Sequence, residues 1–147
     1  MEYQEILAKY ADTPGGMIEA FHAIQAEFSY LPEEAIIEAA KMFGQPAIEA
    51  YGVAGFYSMF STEPRGRNII RICESAPCHI AGADKVVTAL EKALGINMGD
   101  STADGRFTLE FTQCVGQCQA TPVITVNGKP YYDVRPETIP GILAEYK

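Results

Sequence analysis

The chain has 147 residues, 48% of them hydrophobic, and a formal net charge of −8. This length fits one ordinary domain or two small ones, and the apolar content is sufficient for a packed core. The acidic balance disfavours binding to nucleic acid or to an anionic membrane surface, because both require a basic face.

The sequence shows no targeting or membrane-spanning segment. Residues 1–5 lack the basic start of a signal peptide, and no stretch approaches the roughly 20 apolar residues that cross a bilayer. We therefore expect a soluble, cytoplasmic protein without direct membrane insertion. In that reducing compartment, its four cysteines are expected to be metal ligands or redox groups rather than structural disulfides.

The first half of the chain is predicted to be helical. A first helix covers residues 2–10, and a second carries Ile18, Phe21, Ile24 and Phe28 on its apolar face. A third runs from Pro32, in its first turn, to a stop at residue 44, and its stripe consists of Ile36, Ile37, Ala40 and Phe43. A fourth covers residues 46–51. Short helices with tight turns favour a small orthogonal bundle.

An apolar, aromatic segment with two glycines follows at residues 52–60. Exposed aromatic and Met side chains between Val53 and Phe60 would suit the docking of a partner protein. The alternative is that they pack the helical unit against the following domain, and the sequence favours neither. The polar residues 61–67 mark the domain boundary, which gives a helical, partner-docking domain at 1–64 and a second domain at 65–147.

The second half has the pattern of a mixed sheet. A β-branched run at 68–72 predicts a buried strand, and residues 83–94 predict a helix that ends at Gly95. Alternation at 107–112 predicts a strand with Phe107, Leu109 and Phe111 facing the core. A hairpin at 123–126 and 131–134 and a last helix from about residue 136 complete the order β-α-β-β-β-α. The fold class is therefore α+β, a helical bundle followed by a thioredoxin-like domain.

The four cysteines form two close pairs, Cys73-x4-Cys78 and Cys114-x3-Cys118, separated by 35 residues. Cys73 and Cys114 are predicted to end strands that run parallel, and Cys78 and Cys118 to lie in the loops that follow, so both pairs should reach the same sheet edge. Gly116 would let the second loop turn tightly and bring backbone N–H groups close to sulfur. Four thiolates gathered at one place require a cation.

The spacing of the cysteines is compatible with more than one metal or redox group. Zinc also takes four cysteines, but its usual knuckles are closer to C-x2-C, and a redox disulfide would favour C-x-x-C at a helix start. Spacing alone favours an iron–sulfur cluster, with a zinc-stabilised structural or assembly subunit as the alternative. A Rieske centre needs two His ligands on one iron, and His22 lies far from His79 in the sequence. His79 is therefore expected near the site but not as a ligand.

Five segments resemble the thioredoxin-like [2Fe–2S] ferredoxin family. This family includes the 24-kDa subunit of NADH dehydrogenase (complex I) and small subunits of NAD-linked, in some cases electron-bifurcating, hydrogenases and formate dehydrogenases. The matching segments are 22–32, 51–60, Pro64-Arg65-Gly66, Cys73-Glu74-Ser75-Ala76-Pro77-Cys78-His79 with Gly82, and Cys114-Val115-Gly116-Gln117-Cys118 followed by 119–122. Gly55 and Thr121 depart from the family pattern without touching a ligand position.

The resemblance implies one [2Fe–2S] cluster, with Cys73, Cys78, Cys114 and Cys118 as its metal ligands, two on each iron. It further implies one-electron transfer as the small subunit of a multisubunit NAD(H)-linked oxidoreductase. FMN and NAD(H) are expected on a flavin- and NADH-binding iron–sulfur partner, alongside further hydrogenase, formate dehydrogenase or respiratory subunits. The sequence has no P-loop, G-x-G-x-x-G or nucleophile–base arrangement, so no catalytic residues and no complete active site are expected in this chain.

Overall fold

The computed structural model describes residues 2–147, which divide into two compact units. The first unit ends at Arg65 and the second is Gly66–Lys147. Within the described residues, none of the helices combines the length and the apolar composition that crossing a bilayer requires.

The first unit is a bundle of four short helices, as predicted. They are α1 (Glu2–Ala8), α2 (Gly16–Phe28), α3 (Glu33–Met42) and α4 (Ala47–Phe56). The fourth helix is about one turn longer than the sequence suggested. Gly52 and Gly55 do not interrupt it, and it ends only where Tyr57 adopts an extended conformation.

The core of this unit is built from smaller residues than the pattern suggested. In α2 the buried residues include Met17, Ala20, Phe21 and Ile24, whereas the predicted core residues Ile18 and Phe28 are only partly buried. In α3 the buried face is Ala35, Ile36, Ala39 and Ala40 rather than Ile37. Alanine on a contact face lets helix axes approach closely, and a pattern search that weights large side chains misses it.

The second unit contains a four-stranded sheet in the order β2-β1-β3-β4. Its strands are β1 (Asn68–Cys73), β2 (Phe107–Thr112), β3 (Ile124–Val126) and β4 (Lys129–Tyr131). β1 pairs parallel with β2 and antiparallel with β3, and β3 pairs antiparallel with β4. The helices are α5 (Ala76–Ile80), α6 (Ala83–Leu94) and α7 (Ile139–Ala144). The predicted α+β class and thioredoxin-like order are confirmed.

Two details of this unit differ from the sequence prediction. The hairpin turn is the two-residue Asn127-Gly128, with φ of 52° and 83°, so Lys129 and Pro130 belong to β4. Pro130 is tolerated because β4 is an edge strand. Phe111 was predicted to face the core but is 49% exposed. It lies near the carboxyl end of β2, where the sheet opens onto a cavity next to the cysteines.

The start of the second unit is fixed on β2 by a buried hydrogen bond. The Gly66 N–H donates to the Thr108 hydroxyl (2.6 Å), which also contacts the Ser101 hydroxyl (2.7 Å). A Cβ on Gly66 would lie 2.8 Å from the carbonyl carbon of Phe107, so only glycine fits this approach.

We expect Thr108→Val to destabilise the protein by about 1–3 kcal/mol, because the buried Gly66 N–H loses its acceptor. The measurement is the free energy of unfolding in urea. Thr125→Val, the same change at a half-buried position on β3, is the control and should shift stability by less than about 0.5 kcal/mol. Equal stability of both variants would contradict this role of the hydroxyl.

Candidate metal centre

The parallel pairing of β1 and β2 places the two cysteine segments at one edge of the sheet. Cys73 is the last residue of β1 and is in register with Thr112, the last residue of β2. Cys114 follows two residues later. The structure therefore delivers both segments to the same edge, as the sequence predicted.

Cys78 and Cys118 lie on short helical segments rather than in plain loops. Cys78 is in α5, a helix of five residues with Pro77 in its first turn, and Cys118 begins a 3₁₀ turn at Cys118–Ala120. The prediction that Cys78 sits in a loop was wrong, because one helical turn is too short to show a periodic pattern.

The four thiols form an inner and an outer pair. The inner pair, Cys73 and Cys78, is only 2% and 3% exposed, and both members of the outer pair, Cys114 and Cys118, are exposed. The outer sulfurs lie 3.5 Å apart. A tetrahedral metal with bonds of about 2.3 Å to sulfur holds two of its ligands about 3.8 Å apart, so this spacing suits two ligands of one metal.

Hydrogen bonds to sulfur connect the two cysteine segments. Burial alone would raise the pKa of Cys73, but it is lowered overall by hydrogen bonds from the backbone and side chain of Ser75, from the Cys78 thiol and from the Val115 backbone. The Gly116 N–H donates to Cys114 Sγ (3.3 Å). Gly116 has a φ of +79°, in the left-handed region that favours glycine, which explains why this position is a glycine. The predicted approach of N–H groups to sulfur is confirmed.

The pKa values of two other thiols, Cys78 and Cys118, are shifted in the opposite direction. Burial, together with the charge of Cys73 and Cys118, raises the pKa of Cys78. The hydrogen bond with Cys114 and the charges of Cys114 and Cys73 raise the pKa of Cys118. The charge of each pair therefore raises the pKa of a thiol in the other pair. For all four thiols to be thiolates at once, positive charge must lie among them.

The arrangement of the pairs bears on the kind of metal. Among the described residues, no three His, Cys, Asp or Glu side chains are close enough to share one metal ion. Four cysteine thiolates in two pairs are the ligand set of a binuclear cluster, in which each iron takes two of them. The donor set therefore fits a [2Fe–2S] cluster.

The other candidate residues occupy different surroundings. His79 is exposed and lines a cavity of about 390 Å³ together with Cys73, Val87 and Phe111. His22 lies in the helical unit against the Phe60 ring. Sequence reasoning missed the roles of Ser75 and Val115, although both lie within two residues of a predicted ligand, which was a usable signal.

Residues 3–147 match the family model described as thioredoxin-like [2Fe-2S] ferredoxin. The chain belongs to this family.

Individual relatives are subunits of larger complexes. The E subunit of the NADH-quinone oxidoreductase of Pseudomonas aeruginosa is 39% identical over 137 residues, which cover 93% of this chain and 82% of the relative. The HndA subunit of the NADP-reducing hydrogenase of Solidesulfovibrio fructosivorans is 37% identical over 147 residues, 98% of this chain and 86% of the relative.

The fold is also similar to part of a solved NAD+-reducing [NiFe]-hydrogenase in its H2-reduced state. The TM-score is 0.77 at 28% identity, and the match covers 88% of this chain. It covers only 22% of the hydrogenase chain, so this protein corresponds to about a fifth of that longer polypeptide.

We expect iodoacetamide to alkylate the reduced, metal-free chain at Cys114 and Cys118 at least about tenfold faster than at Cys73 and Cys78, because reagents reach only exposed thiolates. Peptide mass spectrometry over time measures the four rates. Because the Cys118 pKa is raised, its rate should keep rising at a pH at which a free cysteine has already levelled off. Uniform labelling of all four thiols would contradict the division into inner and outer pairs.

Proposed function

We propose that Cys73, Cys78, Cys114 and Cys118 hold one [2Fe–2S] cluster, with the inner pair on one iron and the outer pair on the other. The chain then serves as the electron-transfer subunit of an NAD(H)-linked oxidoreductase. Its family membership and its two relatives from NADH-quinone oxidoreductase and hydrogenase support this role. The observation that carries the ligand set is the gathering of two thiol pairs at one sheet edge.

The chain's own residues position and tune this site. When bound, the cluster supplies one-electron redox chemistry. Burial of Cys73 and Cys78 excludes water from the inner side, while exposure of Cys114 and Cys118 leaves the outer side open to a redox partner. Donors from Ser75, Val115 and Gly116 stabilise negative charge on sulfur, and this raises the reduction potential.

The partner of this subunit is inferred from what the chain cannot do alone. NAD(H) exchanges two electrons as hydride, so a one-electron carrier needs a flavin between itself and the nucleotide. We assign FMN and NAD(H) to a flavin- and NADH-binding iron–sulfur subunit. Hydrogenase, formate dehydrogenase or respiratory subunits would complete the complex. A zinc-stabilised assembly subunit is the disfavoured alternative, because the matching family model is that of a [2Fe-2S] ferredoxin and the relatives are subunits of oxidoreductases.

Cys114→Ser should lose or strongly destabilise the cluster, because a serine hydroxyl is a poor replacement for a thiolate ligand. EPR of anaerobically purified protein before and after dithionite, with iron, sulfide and zinc analysis, measures the outcome. The wild type should give a rhombic S = ½ signal on reduction, and iron and sulfide in equal amounts. Gln119→Ala, an exposed change next to Cys118, is the control and should keep the signal.

Full iron and sulfide content in Cys114→Ser, together with unchanged activity and an unchanged EPR signal, would refute the ligand set. Zinc in the wild type, without an EPR signal in either state, would replace the redox role with a structural one.

Ser75→Ala should lower the reduction potential of the cluster by about 40 mV. The reason is that a hydrogen bond to sulfur stabilises the more negative, reduced state by about 1 kcal/mol. Spectroscopically monitored redox titration measures the midpoint, and Ser75→Thr, which keeps the hydroxyl, should restore most of it. An unchanged potential in Ser75→Ala would show that the hydroxyl does not influence the cluster.

A further inference from the structure

A side-chain hydrogen bond connects the two cysteine segments directly beside the thiols. Glu74 follows Cys73 in the chain, and Gln113 precedes Cys114. The Gln113 side-chain amide donates to the Glu74 carboxylate, with 2.7 Å between Nε2 and Oε1. The bond therefore connects the inner pair to the outer pair through the chain neighbours of one ligand from each. Because its acceptor is a carboxylate, it is stronger than a bond between two neutral groups.

This hydrogen bond lies where the two parallel strands separate. The Glu74 N–H donates to the Thr112 carbonyl (3.0 Å), which continues the pairing of β1 and β2 by one residue. Beyond this point one segment turns into α5, whereas the other becomes an exposed loop. The bond between Glu74 and Gln113 is thus the next connection after the backbone ladder, and it holds the two segments together at the point where they diverge.

We name residues 113–118 the outer loop, since this segment carries the outer pair and is mostly exposed. Two hydrogen bonds join it to the inner segment: the side-chain bond just described, and one from the Val115 N–H to the Cys73 sulfur. Within residues 2–147, its other hydrogen bonds stay inside positions 113–120. A segment with few buried contacts and few external hydrogen bonds opens at a lower free energy than the fold as a whole.

Opening of the outer loop would uncover the inner thiols. Cys73 is 2% exposed, and the Val115 N–H contacts its sulfur, so the loop forms part of its cover. An outward movement of the loop would break this bond and carry Cys114 and Cys118 together away from the inner pair. A cluster held by all four thiolates could not keep its ligands in the open state. Closure of the loop is therefore a condition for retaining a cluster.

We propose that Glu74 and Gln113 are positioning residues, whose hydrogen bond keeps the outer loop closed over the inner pair. We call this bond the Glu74–Gln113 latch. It limits the access of reagents to Cys73 and Cys78 in the metal-free chain, and it limits the loss of the cluster from the loaded chain. The second effect rests on the proposed function, whereas the first does not. The net gain from one hydrogen bond changes an opening equilibrium about fivefold.

The metal-free chain gives the first test, with peptide mass spectrometry over time as the measurement. Glu74→Ala and Gln113→Ala should each raise the rate at which iodoacetamide alkylates the inner pair about fivefold, because the loop opens more often. The rates at the outer pair should stay within about twofold of the wild type. Gln113→Ala keeps the Glu74 carboxylate, so its effect cannot come from a changed charge near sulfur. The double variant should be no faster than either single one, because both changes remove the same bond.

The cluster-containing chain gives the second test. In excess iron chelator, the absorbance of the cluster should decay about fivefold faster in Glu74→Ala or Gln113→Ala than in the wild type. Gln119→Ala is the matched control, because it removes a side-chain bond of the same length (2.7 Å) to Gln117, which does not reach the inner segment. Its decay rate should stay within about twofold of the wild type. Since the control also loses one surface hydrogen bond, faster decay confined to the latch variants cannot come from overall stability.

A swap of the two residues tests whether they act through their bond. Glu74→Gln/Gln113→Glu restores donor and acceptor in reverse order, and it should return both rates to within about twofold of the wild type. Wild-type rates in both alanine variants, or no recovery in the swap, would overturn the latch. A wild type without iron and sulfide would contradict the proposed function, and the alkylation rates would still decide the latch. An intact cluster with unchanged rates in every variant would contradict the latch alone.

Discussion

The parallel pairing of β1 with β2 determines where the four cysteines lie. Six consecutive residue pairs, from Asn68–Phe107 to Cys73–Thr112, align the two strands so that they end together. Buried Ile70 and Leu109 hold this alignment, because a slip by one residue would turn the side chain of the slipped strand to the opposite side of the sheet. The hydrogen bond from Gly66 to Thr108 fixes the same register from the other end. The placement of the two cysteine segments at one edge is thus determined by strand pairing rather than by the loops that carry the cysteines.

The two units of the protein differ in charge and in the residues that they expose. The second unit carries the thiols and is nearly balanced in charge, with nine acidic and eight basic residues in 66–147. The helical unit carries the acidic excess and, at Ile48 and Phe56 of α4, exposed apolar side chains. The unit that carries the sulfurs is therefore nearly neutral by itself, and the acidic excess of the chain belongs to the helical unit.

The helices, the strands and the gathering of the cysteines could be predicted from the sequence because each leaves a pattern that extends over several residues. Helical spacing, strand alternation and the two cysteine pairs each extend over several residues, and so they identified the bundle, the sheet order and the position of the thiols at one edge. Features decided by single contacts were missed. α5 is one turn long and shows no period, Phe111 alternates correctly but lies where the sheet is uncovered, and the alanine-rich contacts of α2 and α3 depend on close helix approach. The division into an inner and an outer thiol pair also depends on three-dimensional burial, which spacing does not encode.

The short hairpin also affects how the free chain behaves. An edge strand offers unpaired backbone groups to any neighbouring chain, and a small sheet is most vulnerable at its outermost strand. One of the two outermost strands is β4, which has only three residues, and there Pro130 removes one donor while Lys129 adds a charge. This edge therefore gives a second sheet little to pair with. At this edge, the chain is in this way protected against strand pairing with copies of itself.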